Sequence, residues 1–272
     1  MNIKTDVPMN TIDTSIWKSL IIQKRIINAL ILREIITRYG RHNIGFLWLF
    51  LEPMLFTLGV TILWALIKAT HGTNLPITAF AVTGYSSILL WRNCSNRAVK
   101  AIEANHSLMY HRNVRVFDVL ASRLLLEIAG ATVSMFVLTL TFSAIGWMDL
   151  PSDILTAMTG WILLSWFAFA LSLVIGAASE RSELIERVWH IFTYLLFPLS
   201  GAAFLVDWLP TAAQKYVLWI PMVHGTEMIR HGYFGASIKT YEDPVYLISF
   251  NAILTIIGLA LVRETGRRVE PE

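Results

Sequence analysis

Cysteine is nearly absent from this sequence, because Cys94 stands alone among 272 residues. One thiol cannot form an intramolecular disulfide, which excludes a small fold held together by such bonds. Charged residues are also scarce, at 15%, against 55% hydrophobic residues and a mean hydropathy of +0.57. So few polar groups cannot cover a water-soluble globule, and the long apolar runs predict an all-α integral membrane protein.

The sequence also lacks the common nucleotide-binding, catalytic and metal-binding motifs. The sequence has no G-x-x-x-x-G-K-[ST] phosphate-binding loop and not even a Gly-Lys dipeptide. It has no H-E-x-x-H, no G-x-S-x-G and no Cys/His cluster with metal spacing. We therefore expect no catalytic residue, no metal site and no cofactor in this chain, and energy for any transport would come from a partner or an ion gradient.

Apolar length predicts six membrane spans, because about 20 apolar residues cross about 30 Å of hydrocarbon. The predicted spans are residues 44–67, 77–91, 124–147, 154–178, 188–204 and 245–262. We treat 44–272 as one transmembrane domain, preceded by a cytoplasmic segment, 1–43. The first ten residues lack the apolar core and cleavage site of a secretory signal, which also indicates a cytoplasmic N-terminus.

Three segments differ from simple spans. The second span is short and has a polar centre at Thr83–Ser87, which predicts packing against other helices or contact with a polar pathway. Residues 205–235 are apolar only in patches, as in short re-entrant or periplasmic helices between spans five and six. Residues 15–28 have the pattern of an interfacial amphipathic helix, although a soluble helix packed on a partner fits the same pattern.

The distribution of Lys and Arg predicts the orientation. With both termini and the loops 92–123 and 179–187 in the cytoplasm, 18 of the 22 basic residues lie inside. This excess follows the positive-inside rule. The net charge of +3 is therefore a topology signal, and the basic residues form no recognisable nucleic-acid-binding module.

Three charged residues, Glu52, Arg123 and Glu127, lie in or beside the predicted spans, where a charge needs a partner. Glu52 lies about two turns into the first span, before Pro53, where a carboxylate is costly unless it is paired, protonated or hydrated. It is either an acid of a transport pathway or, as we favour, a structural partner of a nearby arginine such as Arg92 or Arg97. Arg123 and Glu127 are four residues apart on one helix face, and we expect them to neutralise each other.

The loop from Arg97 to Arg115 is charged, partly helical in pattern and predicted to be cytoplasmic. Its apolar residues could form a docking face for a cytoplasmic partner, or the loop could be solvated and serve only topology. The apolar residues concerned are Ile102, Leu108, Met109 and Tyr110. The tryptophans are more often membrane anchors than ligand contacts, although stacking on sugars stays open for some of them.

Several patches resemble the membrane-spanning subunits of type-2 ATP-binding-cassette exporters, specifically those of group 2 capsular polysaccharide export. The resemblance begins with Leu32-Arg33-Glu34-Ile35, Arg38-Tyr39-Gly40 and Ile44-Gly45-Phe46-Leu47-Trp48 to Leu51-Glu52-Pro53. It continues through Ala101-Ile102-Glu103-Ala104-Asn105, Ala121-Ser122-Arg123-Leu124-Leu125-Leu126-Glu127 and Leu218-Trp219-Ile220-Pro221-Met222-Val223-His224. These patches cover residues 32–224 in the expected order, and their combination is more specific than any one of them.

The resemblance implies a permease in the bacterial inner membrane, with two copies of this chain and two of a separate ATPase that binds ATP and Mg. The implied substrate is a lipid-linked acidic polysaccharide, passed on to a periplasmic adaptor and an outer-membrane exporter. Expected ATPase-coupling residues are Glu103, Asn105, His106, Leu108, Met109 and Tyr110. Substrate-pathway candidates are Arg33, Arg38, Arg41, Glu52, Tyr85 and Arg92. Exit-loop candidates are Trp208, Trp219 and His224.

Other functions stay open at this point. Within the same family, the substrate could be O-antigen, teichoic acid or a drug. An ion-coupled carrier would need titratable residues near the midplane, often in repeated halves, and only Glu52 is suggestive. A membrane-embedded glycan or lipid enzyme would need a convergent acid–base set, for which Asp207, His224, Glu227 and His231 are the outer candidates.

Overall fold

The computed structural model describes residues 16–39, 43–67, 75–111 and 114–269. These residues form ten α-helices joined by turns and short 3₁₀ segments, and no strand occurs among them. The helices are α1 Ile16–Tyr39, α2 Asn43–Ile67, α3 Ile77–Ala98, α4 His106–His111, α5 Val116–Ala144, α6 Ile154–Ser179, α7 Glu183–Leu196, α8 Thr211–Val217, α9 Pro221–Phe234 and α10 Pro244–Val269.

Four of the described helices are long and apolar enough to cross a membrane. They are α2 over Leu47–Leu66, α5, α6 and α10. This confirms an all-helical, multi-pass membrane protein. The two remaining predicted spans correspond to α3, which carries many polar residues, and to α7, which has only 14 residues.

The bounds of several elements differ from the prediction. Helices α3 and α10 continue to Ala98 and Val269, beyond the predicted ends at 91 and 262. Helix α1 extends to Tyr39, well beyond residue 28, and α5 begins at Val116, before residue 124. Helix α7 ends at Leu196, so the span predicted over 188–204 is wrong in its second half. Pro198 explains that end, because it has no N–H to continue the helical hydrogen bonds.

Helix α3 lies at the centre of the bundle. Its polar segment Thr83–Ser87 is buried against its neighbours, which confirms the predicted packing against other helices. The hydroxyls of Thr83 and Ser87 donate to carbonyl oxygens one turn earlier, at 2.8 and 2.6 Å. Because these bonds stay within the helix, the hydroxyls of Thr83 and Ser87 are paired although they are buried.

The bundle has two distinct ends. The charged end is where α3 finishes and α5 starts, around Arg97 and Glu127, whose side chains lie 3.4 Å apart. The cap end is where α6 starts, and here α8, α9 and the loops beside them cover the helices. Backbone bonds from Ser152 and Asp153 to Tyr233 and Gly232 join the start of α6 to the end of α9.

Candidate functional sites at the charged end, in the bundle and at the cap

Ion pairs between different elements connect the charged end. Arg123 of α5 lies 3.2 Å from Glu34 of α1, and Arg97 of α3 pairs with Glu127 of α5. The expectation that Arg123 and Glu127 simply neutralise each other is therefore wrong, because each finds a partner on another helix. Further pairs are Lys100–Glu186 at 3.0 Å, His106–Glu180 at 2.9 Å and Arg181–Glu264 at 3.1 Å.

The 103–111 segment, which consists of a 3₁₀ turn and α4, is anchored to this network. Asn105 is buried, accepts from Nη1 of Arg33 at 2.7 Å and donates to the carbonyl of Ala101 at 2.8 Å. His106 contacts Glu180 at the end of α6. The segment therefore touches both α1 and α6, and a force applied to it would reach both helices.

The apolar residues of this loop divide into two groups. Ile102 and Met109 are buried in the core, so the expectation that they are available for docking is wrong. They instead hold the segment on the bundle. Tyr110 is 69% exposed, Leu108 is half-buried and Glu103 is exposed, so these three present the accessible surface.

A polar cavity of about 290 Å³ lies between α2, α3, α5 and α7. Its polar lining residues are Glu52, Asn93, Asn96, Arg97, Glu127 and His190. Oδ1 of Asn96 is buried and has no hydrogen-bond partner among the described residues. A buried amide oxygen without a partner is costly, and a hydroxyl-bearing guest or water in the cavity would satisfy it.

Glu52 faces this cavity without an ion pair to any described residue. Arg97 pairs with Glu127, and the guanidinium of Arg92 lies 4.8 Å from the ring centre of Tyr194. The interpretation of Glu52 as a direct partner of Arg92 or Arg97 is therefore wrong. What remains is an accessible carboxylate in a polar cavity that it shares with Arg97.

The other pathway candidates have varied surroundings. Tyr85 is buried among the rings of Phe56, Trp64 and Phe197, at centroid distances of 5.5 to 6.1 Å. Arg33 is engaged with the 103–111 segment, away from the polar cavity. The side chain of Arg38 and the whole of Arg41 lie outside the described residues.

Arg230 of α9 organises the cap end. It is fully buried, and its guanidinium donates to the carbonyls of Gly201, Ala202 and Phe204 at 2.5 to 2.6 Å. It also lies 3.8 Å from the ring centre of Phe80 on α3. One side chain thus fastens the loop after α7 to both α9 and α3.

Glu227 holds the cap from the opposite side. Its carboxylate is completely buried and accepts from the backbone N–H groups of Val206 and Tyr241, both at 3.3 Å. Burial raises the pKa of Glu227 to about 7, against the opposing effect of the Arg230 charge. A buried carboxyl engaged with the backbone is not available to a glycan, so this arrangement does not favour an acid–base enzyme.

The exit-loop candidates surround the same cap. Nδ1 of His224 accepts from the N–H of Asp243 at 2.9 Å, so Nε2 carries the proton and donates to the carbonyl of Leu218 at 2.8 Å. Burial lowers the pKa of His224, consistent with a neutral ring. Trp208 stacks on Phe80 with centroids 5.1 Å apart, whereas Trp219 is 75% exposed.

Sequence reasoning missed two features of these sites. Arg230 could have been singled out from the sequence, since it is one of only four basic residues on the predicted outer side. Its role could not be predicted, because its three carbonyl acceptors belong to a loop that is distant in sequence. Asn93, Asn96 and His190 were not singled out, because each is unremarkable until α3 and α7 are placed beside Glu52.

A helical bundle with four long apolar helices is the architecture of a multi-pass membrane protein. This chain belongs to the ABC-2 type transporter family, whose model matches residues 25–234. It is 49% identical over 259 residues to the capsule polysaccharide export inner-membrane protein CtrC of Neisseria meningitidis serogroup B, covering 95% of this chain and 98% of that protein.

Two further relatives extend the comparison. The capsule polysaccharide export inner-membrane protein BexB of Haemophilus influenzae is 46% identical over 259 residues, with the same coverage. The polysialic acid transport protein KpsM of Escherichia coli is 28% identical over 243 residues, covering 89% of this chain and 94% of that protein. The family resemblance inferred from the sequence patches is thereby confirmed.

Proposed function

We propose that this chain is the inner-membrane permease subunit of an ATP-driven exporter of lipid-linked acidic capsular polysaccharide. The observation that carries the proposal is its near full-length similarity to two capsule polysaccharide export proteins. The chain itself is a transport subunit and not an enzyme. Its similarity to a polysialic acid transport protein supports an acidic glycan as substrate.

The proposed complex contains two copies of this chain and two copies of a cytoplasmic ATPase, which binds ATP and Mg. Both termini and the charged end face the cytoplasm, in agreement with the 18 basic residues that this orientation places inside. Six membrane passages, including α3 and α7, satisfy that topology. A periplasmic adaptor and an outer-membrane exporter would receive the polysaccharide beyond the cap end.

The polar cavity is the proposed contact point for the glycan inside the bundle. Two carboxylates, two amides, an arginine and a histidine can exchange hydrogen bonds with sugar hydroxyls. A polar, mixed-charge lining also allows a chain to bind and leave again, as conduction requires. Exposed Trp219 beyond the cavity would contact the emerging chain.

The 103–111 segment is the proposed contact with the ATPase. It presents Glu103, Leu108 and Tyr110 outward. Its buried Asn105 connects it to α1 through Arg33, and its exposed His106 contacts Glu180 at the end of α6. Closure of the ATPase subunits would therefore move α1 and α6 together. This linkage supplies a physical route from nucleotide binding to the bundle.

The test is co-purification of the ATPase with the tagged chain, followed by measurement of its ATP hydrolysis. The variant is Tyr110→Ala, and the control is Tyr216→Ala, an exposed tyrosine at the cap end. We expect Tyr110→Ala to weaken ATPase recovery by about tenfold or more, the effect of losing roughly 1.4 kcal/mol at an interface. Equal recovery with both variants would refute the proposed contact, and a chain that exports without any ATPase would refute the proposed function.

A further inference from the structure

A second, half-open groove of about 640 Å³ lies between α1, α5 and α10, on a different face from the polar cavity. Two cations, Lys24 and Arg115, lie on its lining together with Gln23 and Asn28. The rest of the lining is apolar and consists of Leu20, Ile27, Ile31, Phe117, Leu125 and Leu259. The groove thus combines a positive group of side chains with a long hydrocarbon surface.

The cations and part of the apolar lining are separated along α5. Arg115 precedes the first residue of α5, and Leu125 lies ten residues further along the chain, about 15 Å at 1.5 Å per residue. Leu259, ten residues before the end of α10, also lines it. Arg115 therefore lies at the level where α5 begins, and the apolar surface extends from there along α5 and onto α10.

The two cations have no carboxylate of their own among the described residues. The nearest acid on α5, Asp118, is buried and occupied, since Oδ1 accepts from Nε2 of Gln23 at 2.6 Å and Oδ2 from the backbone N–H of Arg115 at 3.1 Å. Lys24 and Arg115 form no ion pair within the described part of the chain. Both side chains are exposed and can take an external anion.

We infer that this groove binds an anionic glycerophospholipid of the bilayer. Its phosphate contacts Lys24 and Arg115, Gln23 and Asn28 lie beside the polar headgroup, and one acyl chain follows the apolar surface towards Leu125 and Leu259. Basic residues attract an anionic membrane surface, so two of them distinguish an anionic from a zwitterionic headgroup. The inference requires only that the chain lies in a bilayer, and it is independent of the exported substrate.

Such a lipid would stabilise the position of α1. That helix is long and largely exposed around Trp17 and Leu20, and it contacts α5 through Gln23–Asp118 and Glu34–Arg123. A lipid seated between α1, α5 and α10 adds hydrocarbon contacts between the two polar ones. Because Arg33 of α1 also holds Asn105, bound lipid would order the 103–111 segment as well.

The experiment measures lipid retained by the purified full-length chain in its native complex. The protein is reconstituted with equal amounts of phosphatidylglycerol and phosphatidylcholine, re-extracted in detergent, and its bound lipid is quantified by mass spectrometry. The variant Lys24→Gln/Arg115→Gln is compared with Lys18→Gln/Arg187→Gln, which removes two exposed charges away from the groove. We expect the groove variant to lose its preference for phosphatidylglycerol by about tenfold or more, and the control to keep it.

A second variant tests the proposed acyl-chain contact and leaves Lys24 and Arg115 unchanged. Leu125 is 43% exposed, and Leu125→Trp adds bulk to the groove while leaving α5 free of a buried clash. We expect it to reduce retained phosphatidylglycerol with an unchanged thermal unfolding temperature. The inference would be overturned if both variants retained as much phosphatidylglycerol as the unmodified chain, or if the unmodified chain retained the two lipids equally. It would also be overturned if the chain retained only glycan-linked lipid from polysaccharide-producing cells.

Discussion

Arg230 shows how much of the cap depends on one side chain. Its guanidinium supplies donors to three carbonyl oxygens of the 201–204 loop in a site with no exposed surface. Without it, those carbonyls lose their partner, and Glu227 loses the nearest compensating charge. The cost is therefore much greater than that of a surface ion pair.

We predict that Arg230→Met destabilises the protein by about 3–5 kcal/mol. The measurement is thermal unfolding of the detergent-purified complex. Arg187→Met is the matched control, because Arg187 and Glu183 form an exposed pair whose side chains are 78% and 87% accessible, and such pairs contribute little. An Arg230→Met protein as stable as this control would show that the three carbonyl contacts are unimportant.

Gly84 lies against the same loop. A Cβ at this position would lie 2.3 Å from the carbonyl oxygen of Ala202 and 2.6 Å from Nη2 of Arg230. Backbone cannot move aside as a flexible side chain can. The absence of a side chain at Gly84 is therefore what allows α3 to approach the loop and Arg230 so closely.

We predict that Gly84→Ala costs about 1–3 kcal/mol through this overlap. Gly59→Ala in α2 is the control, because its Cβ would meet no described atom within 4 Å and alanine favours a helix by about 1 kcal/mol. Thermal unfolding should therefore shift down for Gly84→Ala and be unchanged or slightly raised for Gly59→Ala. Equal shifts would contradict the close approach.

At the scale of elements, α9 carries a buried carboxyl group, Glu227, whose protonation affects stability. Burial places the pKa of Glu227 near 7, above the value of 4.5 expected when the chain is unfolded. Between these values the folded state binds more protons than the unfolded state. The free energy of unfolding contributed by this group therefore falls as pH rises from about 4.5 to about 7.

We predict that Glu227→Gln removes this contribution to pH dependence. The unfolding temperature of the unmodified protein should drop by a few degrees more than that of the variant between about pH 5 and about pH 7. Glu183→Gln, which changes an exposed carboxylate of α7, should retain the pH dependence of the unmodified protein. Parallel pH profiles for all three proteins would exclude the raised pKa.

The sequence predicted some helices well and others poorly. The long apolar helices α2, α6 and α10 followed directly from hydropathy, since a continuous apolar run has few alternatives in a bilayer. Helix α7 did not, because Pro198 ends the helix inside an apolar run and loop residues beyond it are satisfied by Arg230. Helix α1 was underestimated because Glu34, beyond the predicted end at residue 28, is stabilised by Arg123 of α5.

At the scale of the whole molecule, the two ends have different chemistry. At the charged end, ion pairs join α1 to α5 and α3 to α5, and Lys100 and Arg181, in the turns after α3 and α6, pair with α7 and α10. The cap end is connected mainly by hydrogen bonds to backbone. The ion pair of Arg123 with Glu34 is largely buried, with side chains 18% and 15% accessible, so breaking it would leave a poorly hydrated charge.

The proposed orientation is testable by cysteine labelling, since the only natural thiol, Cys94, is completely buried. In a Cys94→Ala background, Tyr216→Cys should react with a membrane-impermeant maleimide added outside cells whose outer membrane has been permeabilised. Ser107→Cys, which is also exposed, should react only after the inner membrane is disrupted. The reverse pattern would contradict the predicted topology, whatever the substrate.

The sequence by itself determined the class of this protein. Composition and apolar length dictated a helical membrane protein, and ordered patches over residues 32–224 indicated its family, because these properties belong to the chain and need no partner element. The tertiary structure alone decided which polar residues meet. Glu52 lies with Asn96 and Arg97, and Arg230 lies with the carbonyls around Ala202, because helices distant in sequence are packed side by side and each buried polar group must find its partner there.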